Sequence, residues 1–340
     1  MSYEILKREF IIPELSSGMC HASTVLPLAD GSVLAAWFGG SHEGKGDTAI
    51  WLSRREGCWE RPMRLAYSEE AHWNPVLRDA GENQIVLYFK VGDVIAKWRT
   101  MFCVSADGGR TWSDPQELVE GDRGGRGPVR NKILELMSGR LLAPASIEDG
   151  IWRAFADISD DEGRSWQKST EVQIENLQFK AGERTDRGSG IEVSEQSFYG
   201  RGVIQPTLWE SSAGRVHMLL RSTEGAVYRS DSEDGGKTWS AARRTALPNN
   251  NSGIDLTRTE DGALYLACNP VGVNWGPRTP MSLLRSGDNG ENWERLLDLD
   301  GGEGEFSYPA VVAGGSVLHV TYSWKRRTIA YWQIGIAPLK

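Results

Sequence analysis

Short apolar runs launched by polar, mostly glycine-bearing turns recur six times along the chain. They read DGSVLAAWF at Gly31, ENQIVLYF at Asn83, SGRLLAPAS at Gly139, AGRVHMLLR at Gly214, DGALYLACN at Gly262 and GGSVLHVTY at Gly315. Runs of this length after such turns predict β-strands, and scarcely a helix is indicated between them. A second pattern, Ser-x-Asp-x-Gly-x-(Thr/Ser/Asn)-Trp, occurs as SADGGRTW (Ser105–Trp112), SDDEGRSW (Ser159–Trp166), SEDGGKTW (Ser232–Trp239) and SGDNGENW (Ser286–Trp293). A degenerate copy, SRREGCW, ends at Trp59, and the closing tryptophans stand 53, 54, 73 and 54 residues apart. Each octet follows a β-rich run and reads as a hairpin tip. Its Asp accepts hydrogen bonds from the turn's own amides, and its Gly supplies a positive φ. All copies are alike, whereas an active site needs one asymmetric cluster, so these carboxylates are expected to be structural staples.

A repeat near 50 residues predicts radial repetition, hence one all-β domain over residues 1–340, a six-bladed β-propeller of four-stranded blades. The sixth unit, ending in TIAYWQIGIAPLK, has no octet. The N-terminal run Tyr3–Ile12 is therefore expected to pair with Thr328–Ile334 and close the ring, which removes two exposed edges. The 73-residue interval holds excess polar, Gly-rich chain from about Glu171 to Gly202, expected as a long loop or hairpin that could serve as a lid over the site.

Composition narrows the chemistry. With 39% hydrophobic residues the chain can bury a sizeable core. A net charge of −8 gives no basic stripe for nucleic acid. No stretch approaches a membrane span and MSYEILKREF has no apolar signal region, so a cytoplasmic location is expected. Cys20, Cys58, Cys103 and Cys268 form no CxxC pair and are expected as buried thiols. No metal spacing or phosphate loop is evident, and no cofactor is implied.

The octets resemble the Asp-boxes of sialidases and related BNR-repeat proteins, and the resemblance covers nearly the whole chain. It implies a carbohydrate-active propeller whose site lies between the octets, at the starts of inner strands. Sialidases carry three arginines that clamp a carboxylate, a Tyr nucleophile with a Glu partner, and an Asp acid/base. By that resemblance Arg221, sixteen residues after Gln205, and Arg278, in NWGPRTPMSLLRSGD, match two clamp arginines. Tyr308 in GEFSYPAVV matches the nucleophile and Asp47 in GKGDTAIW the acid/base. Two positions depart from the pattern. His21 in CHASTVLPL replaces the first clamp Arg, and Gln205 replaces the Tyr-activating Glu. A neutral Gln cannot take a proton from Tyr308, whereas a His can act as acid or base near neutral pH. These departures resemble propellers that cleave rhamnose from glucuronic acid, by hydrolysis or elimination. Segments such as AWFGGSHEG and NNNSGID resemble bacterial proteins labelled exo-sialidase.

Other polar residues at inner-strand starts are candidate sugar contacts. They are Asn74 before Pro75, the trio Arg130, Asn131 and Lys132, the pair Asn251 and Asp255, His42 in a Gly-flanked loop, and Lys90 at a strand end. His72 is expected as a turn residue, and His217 and His319, inside apolar strands, as structural. The expected activity is cleavage of a terminal linkage beside a carboxylate-bearing sugar, with His21 in an acid/base role. A lyase acting on a uronic-acid linkage and a non-catalytic glycan-binding propeller are the alternatives.

Overall fold

The computed structural model describes residues 3–13, 18–185 and 198–336, and it is all-β with almost no helix. Its strands form five hydrogen-bonded sheets in a propeller-like arrangement. The first joins Met19–Pro27, Val33–Gly40 and Ala49–Glu56, with Cys58–Trp59 and Met63–Ala66 both against the last of these. The second runs His72–Asp79, Ile85–Val91, Arg99–Ser105, Gln116–Glu117. Another runs Asp255–Arg258, Leu264–Cys268, Met281–Ser286, Glu294–Asp300. The last runs Phe306–Gly314, Val317–Trp324, Thr328–Ile336 and then Tyr3–Phe10.

The remaining sheet has eight strands and corrects the expectation of six separate blades. Two antiparallel runs, one from Leu134–Glu135 to Ile151–Ser159 and one from Arg201–Ser212 to Arg243–Pro248, are joined edge to edge. The joint is a parallel pairing of Ile151 with Arg201 and Trp152 with Gly202. Gly202 is required there: a Cβ would stand 2.3 Å from the Trp152 carbonyl oxygen. The joint arises where the long 171–202 excursion returns. Residues 186–197 of the segment expected as a loop or lid lie outside the described residues.

Sheet closure follows the sequence expectation. Tyr3–Phe10 pairs antiparallel with Thr328–Ile336, from Tyr3↔Ile336 to Phe10↔Ala330. The octets form hairpin tips whose Asp is held by the turn itself. Asp234, for example, accepts from the Thr238 amide at 2.9 Å, the Thr238 hydroxyl at 2.7 Å and the Ser232 hydroxyl at 2.8 Å. The Trp of each of the four full octets donates its indole N–H back to an octet glycine, Trp239 to Gly236 at 3.0 Å, whereas that of Trp59 in the degenerate copy has no partner among the described residues. Cys20, Cys103 and Cys268 are buried, while Cys58 is exposed, against expectation, because it sits at the degenerate hairpin tip. His217 is held by Ser211 and Asp231, stacks on Trp209, and meets Asn289 of the next sheet, a structural tie.

The first strands of successive sheets pack on one another: Met19–Pro27 against His72–Asp79 and Phe306–Gly314, and Asp255–Arg258 against Arg201–Ser212 and Phe306–Gly314. Side-chain oxygens replace backbone ladders between them. Thr24 accepts from the Leu77 amide, Thr207 from Leu256 and Asp255 from Val311.

Candidate active site

The first strands share a local irregularity that aims side chains at one place. Ala22, Asn74, Gln205 and Tyr308 have φ of 51°, 43°, 50° and 54°. In each strand the register slips at that point, between His21 and Thr24, Trp73 and Val76, Ile204 and Thr207, and Ser307 and Ala310. Such bulges re-aim a residue out of the pleat, and held in unfavourable backbone conformations they mark sites over-determined by their surroundings. Asn74, Gln205 and Tyr308 each precede a proline, whose missing N–H suits a break in the ladder.

Three of these bulges, at Asn74, Gln205 and Tyr308, converge on a narrow cavity of about 30 Å³ lined also by Arg221, Arg278 and Arg326 with Glu43, Glu148, Trp73, Trp98, Trp275 and Ile95. Arg221 donates to the Tyr308 hydroxyl oxygen at 2.7 Å, to Gln205 Oε1 at 3.0 Å and to Asn251 Oδ1 at 3.0 Å. Three guanidiniums surround the Tyr308 ring, Arg130 at 5.0 Å, Arg278 at 5.4 Å and Arg221 at 5.6 Å from its centroid. Arg278 donates to Glu305 at 2.8 Å, and Arg326 bridges Glu305 at 3.1 Å and Glu43 at 2.6 Å. Burial pulls the Glu305 carboxyl up, but Arg278, Arg326 and the Ser307 hydroxyl together hold it well below the usual carboxylate range. The converse holds for Arg326, whose two carboxylate partners outweigh burial and hold it charged. Buried Arg278 Nε and Arg326 Nη2 have no hydrogen-bond partner among the described residues.

Glu148 differs from every other acid here. It stands at the hairpin tip between Leu141–Ile147 and Ile151–Ser159 and has no hydrogen-bond partner among the described residues. Burial pushes its carboxyl up to about 7, Arg221 pulling against the shift and Glu43 adding to it. At neutral pH it can therefore hold a proton or release one.

Several expected site residues lie elsewhere. His21 does not line the cavity. It is fully buried behind Tyr308, ring centroids 4.3 Å apart, and neither ring nitrogen has a partner. Burial, with Arg326, Arg278 and Arg130 outweighing Glu305, holds its pKa well below the ordinary range, so it is neutral and unsuited to the acid/base role. Asp47 is exposed and accepts from the Ser41 amide and hydroxyl at 3.1 and 3.0 Å, which ties it to its own loop. His42 is exposed in a neighbouring recess, while Glu43, one residue on, reaches the cavity. Lys90 lies between strands, donating to Thr100 at 2.6 Å and the Arg126 carbonyl at 2.7 Å, and burial lowers its pKa to about 7 against Asp157 and Asp122.

Arg130, Asn131, Lys132 and Asp255 form the floor rather than the lining. Arg130 donates to Asn131 and to the Ile254 and Pro309 carbonyls, and burial lowers its pKa to about 10. Asn131 donates to the Gln205 and Pro206 carbonyls at 3.2 and 2.9 Å, and Lys132 to Asp255 at 2.7 Å. Asn74 lines the cavity while donating to the Val129 carbonyl at 3.1 Å. Asn251 lies behind Arg221 and fixes its Nε. Glu148, Arg326 and Glu43 are the polar lining residues that the sequence did not single out. All three sit in turns without a motif of their own. Among the described residues no group of three or more His, Cys, Asp and Glu could hold a metal, and no helix is long and apolar enough to cross a membrane.

Comparison with known proteins bears on the fold. No curated protein matches the chain. Among solved structures, a protein of unknown function from Dyadobacter fermentans DSM 18053 superposes with a TM-score of 0.75 at 15% identity, over 98% of this chain and 99% of that one. The NanB sialidase from Streptococcus pneumoniae gives 0.71 at 12% identity, over 98% of this chain and 70% of that one. The Trypanosoma rangeli sialidase in complex with the inhibitor DANA gives 0.70 at 12%, over 96% of this chain and 59% of that one. At such identities the likeness is one of fold, and the resemblance to rhamnosyl-glucuronate-cleaving propellers finds no support among these relatives. Residues 31–320 match the family described as BNR repeat-like domain. The chain belongs to the BNR repeat-like domain family, and its fold is that of the sialidase-superfamily propellers.

Proposed function

We propose that this protein is a glycoside hydrolase that cleaves a glycosidic linkage at or beside a carboxylate-bearing sugar. The observation that carries this reading is the lining itself: Arg221, Arg278 and Arg326 around Tyr308, with Glu148 free to exchange a proton near pH 7. Three guanidiniums face two ion-paired carboxylates, Glu43 and Glu305, which leaves a surplus positive charge. Planar forks of donors match a carboxylate bidentately, so the surplus favours an anionic sugar. Glu148, protonated, gives its proton to the leaving oxygen as the glycosidic bond breaks, and water later returns one. Tyr308, its oxygen held by Arg221, keeps its phenolic proton and stabilises the positive charge that develops at the anomeric carbon, where water adds and gives up the proton that Glu148 regains. The cavity, at about 30 Å³, is water-sized, so a sugar enters only when its rim moves.

A panel of aryl glycosides of neutral and acidic monosaccharides tests this reading. Acidic members should be hydrolysed, with kcat/KM falling above pH 7 as Glu148 ionises. Glu148→Gln should lower turnover ~100-fold or more, the usual cost of losing a general acid. Arg278→Ala should weaken acidic ligands ~10- to 100-fold and leave neutral ones unchanged. Gln205 gives Tyr308 no proton acceptor, which favours a second reading as a glycan-binding module. Ligand binding without any cleavage would decide for it. New absorbance from an unsaturated product would mark elimination instead.

A further inference from the structure

The Glu43–Arg326 ion pair is a wall with two sides. On one side lies the small cavity, and on the other a recess of about 490 Å³ bounded by the same two residues together with His42, Lys45, Lys325 and Arg327. Four of these six side chains are cations and only one is an acid, in a chain whose net charge is −8. Lys45, Lys325 and Arg327 are exposed, and none has a carboxylate partner among the described residues.

The turn that presents three of these cations is itself unusual. The Arg327 amide donates to the Trp324 carbonyl at 3.0 Å, and the central residues Lys325 and Arg326 have φ of 51° and 54°. A β-turn with both central residues left-handed favours Asn, Asp and Gly, because other side chains are strained there. Here Lys-Arg occupies it, and the turn is pinned to the head of its own sheet's first strand and to the neighbouring first sheet. The Lys325 amide donates to the Glu305 carbonyl at 2.7 Å, and the Cys20 amide to the Arg326 carbonyl at 2.9 Å. Trp324 lies under the Lys325 ammonium at 4.8 Å and steadies it. Arg326 Nη2 is buried without a partner among the described residues, on one of the two residues common to both spaces.

We infer that this recess is a second anion subsite, taking the carboxylate or sulfate of the sugar unit next to the one held at Arg221 and Arg278. The inference rests on the acidic-glycan reading above and names its substrate class: an oligosaccharide with anionic groups on adjacent units. Carboxylate and sulfate share the chemistry of recognition, so both arms are measured.

Titration calorimetry with three probes separates the possibilities: the methyl glycoside of a uronic acid, an unsulfated di-uronate, and a disaccharide of one uronate and one sulfated unit. In low salt one or both dianionic probes should bind roughly 10-fold more tightly than the monoanionic one, and the advantage should shrink as ionic strength rises. Lys325→Asn with Arg327→Gln, which keeps a left-handed-tolerant residue in the turn, should abolish that advantage. Binding of the methyl uronide should be unchanged in that variant. Equal affinity of wild-type protein for all three probes, or an advantage that survives in the double variant, overturns the subsite. Tight binding of a dianionic probe with no bond cleavage would uphold the subsite while refuting hydrolysis.

Discussion

His21 and Tyr308 lie ring to ring at 4.3 Å, yet only the tyrosine reaches the cavity. An imidazole with two buried unpartnered nitrogens contributes shape rather than proton transfer, and its polarity is a cost that no hydrogen bond offsets. His21→Leu should therefore melt no lower than wild type and keep turnover within about threefold, with the same pH profile. A hundredfold loss, or a displaced acidic limb, would restore the proton-transfer role. Glu148 makes the opposite case. Its folded pKa, about 7, lies above the ordinary 4.5, so the folded state holds the proton more tightly. The stability this provides is complete below pH 4.5 and is lost as pH rises toward 7. Glu148→Gln, which never ionises, should melt like wild type at pH 4 and roughly 2–5 °C higher at pH 8 by calorimetry. A variant no more stable than wild type at pH 8 would show that the carboxyl is not shifted. Arg221, Arg278 and Tyr308 were legible because the segments around them resemble those that carry site residues in sialidases. Glu148 and Arg326 were hidden because a hairpin tip reading EDG or WKRR looks like any solvated turn.

At the scale of the element, local chemistry was readable and distant pairing was not. The octets carry their own instructions, since Asp234 is satisfied within four residues of itself. Turn hydrogen bonds to the ionised carboxylate hold the Asp234 pKa down to about 2 against burial, so the turn is intact through the neutral range and loosens only in strong acid. Asp234→Ala should lower the melting temperature by roughly 1–3 °C while leaving kinetic constants unchanged, because the hairpin contributes nothing to the cavity lining. A large loss of turnover at unaltered melting would contradict the staple reading. The inner-strand bulges were half legible. Asn74–Pro75, Gln205–Pro206 and Tyr308–Pro309 recur in sequence, but the slip in register that turns these residues inward depends on the neighbouring strands. Asp47 and His42 were misplaced for a related reason. Their Gly-flanked loop directs Glu43 alone to the cavity, and Ser41 holds Asp47 away from it.

At the scale of the molecule, the repeat period foretold a propeller of sheets, but the fused eight-stranded sheet depends on a long-range contact no period encodes. Closure was readable because an unmatched strand at each end of the chain leaves two edges that attract each other. That closure joins the last strand, Thr328–Ile336, to the turn bearing Arg326, so the N-terminal strand helps to hold the candidate site's wall. Tyr3–Phe10 is largely exposed, and its hold comes from the ladder, from the Arg8–Asp300 pair at 2.9 Å and from the Glu9–Arg55 pair at 2.9 Å, which reaches the first sheet. Removing residues 1–10 would bare the edge of Thr328–Ile336, most of whose side chains are buried, and strip Arg55 of its carboxylate. The truncated protein should self-associate in light scattering at concentrations where the full chain does not, and should melt ~10 °C or more lower. A synthetic peptide spanning Tyr3–Ile12, added in excess, should restore part of the lost stability by re-forming the ladder, as any ligand of the folded state does. A truncated chain that stays monomeric and melts unchanged would mean that the last sheet is complete without its fourth strand.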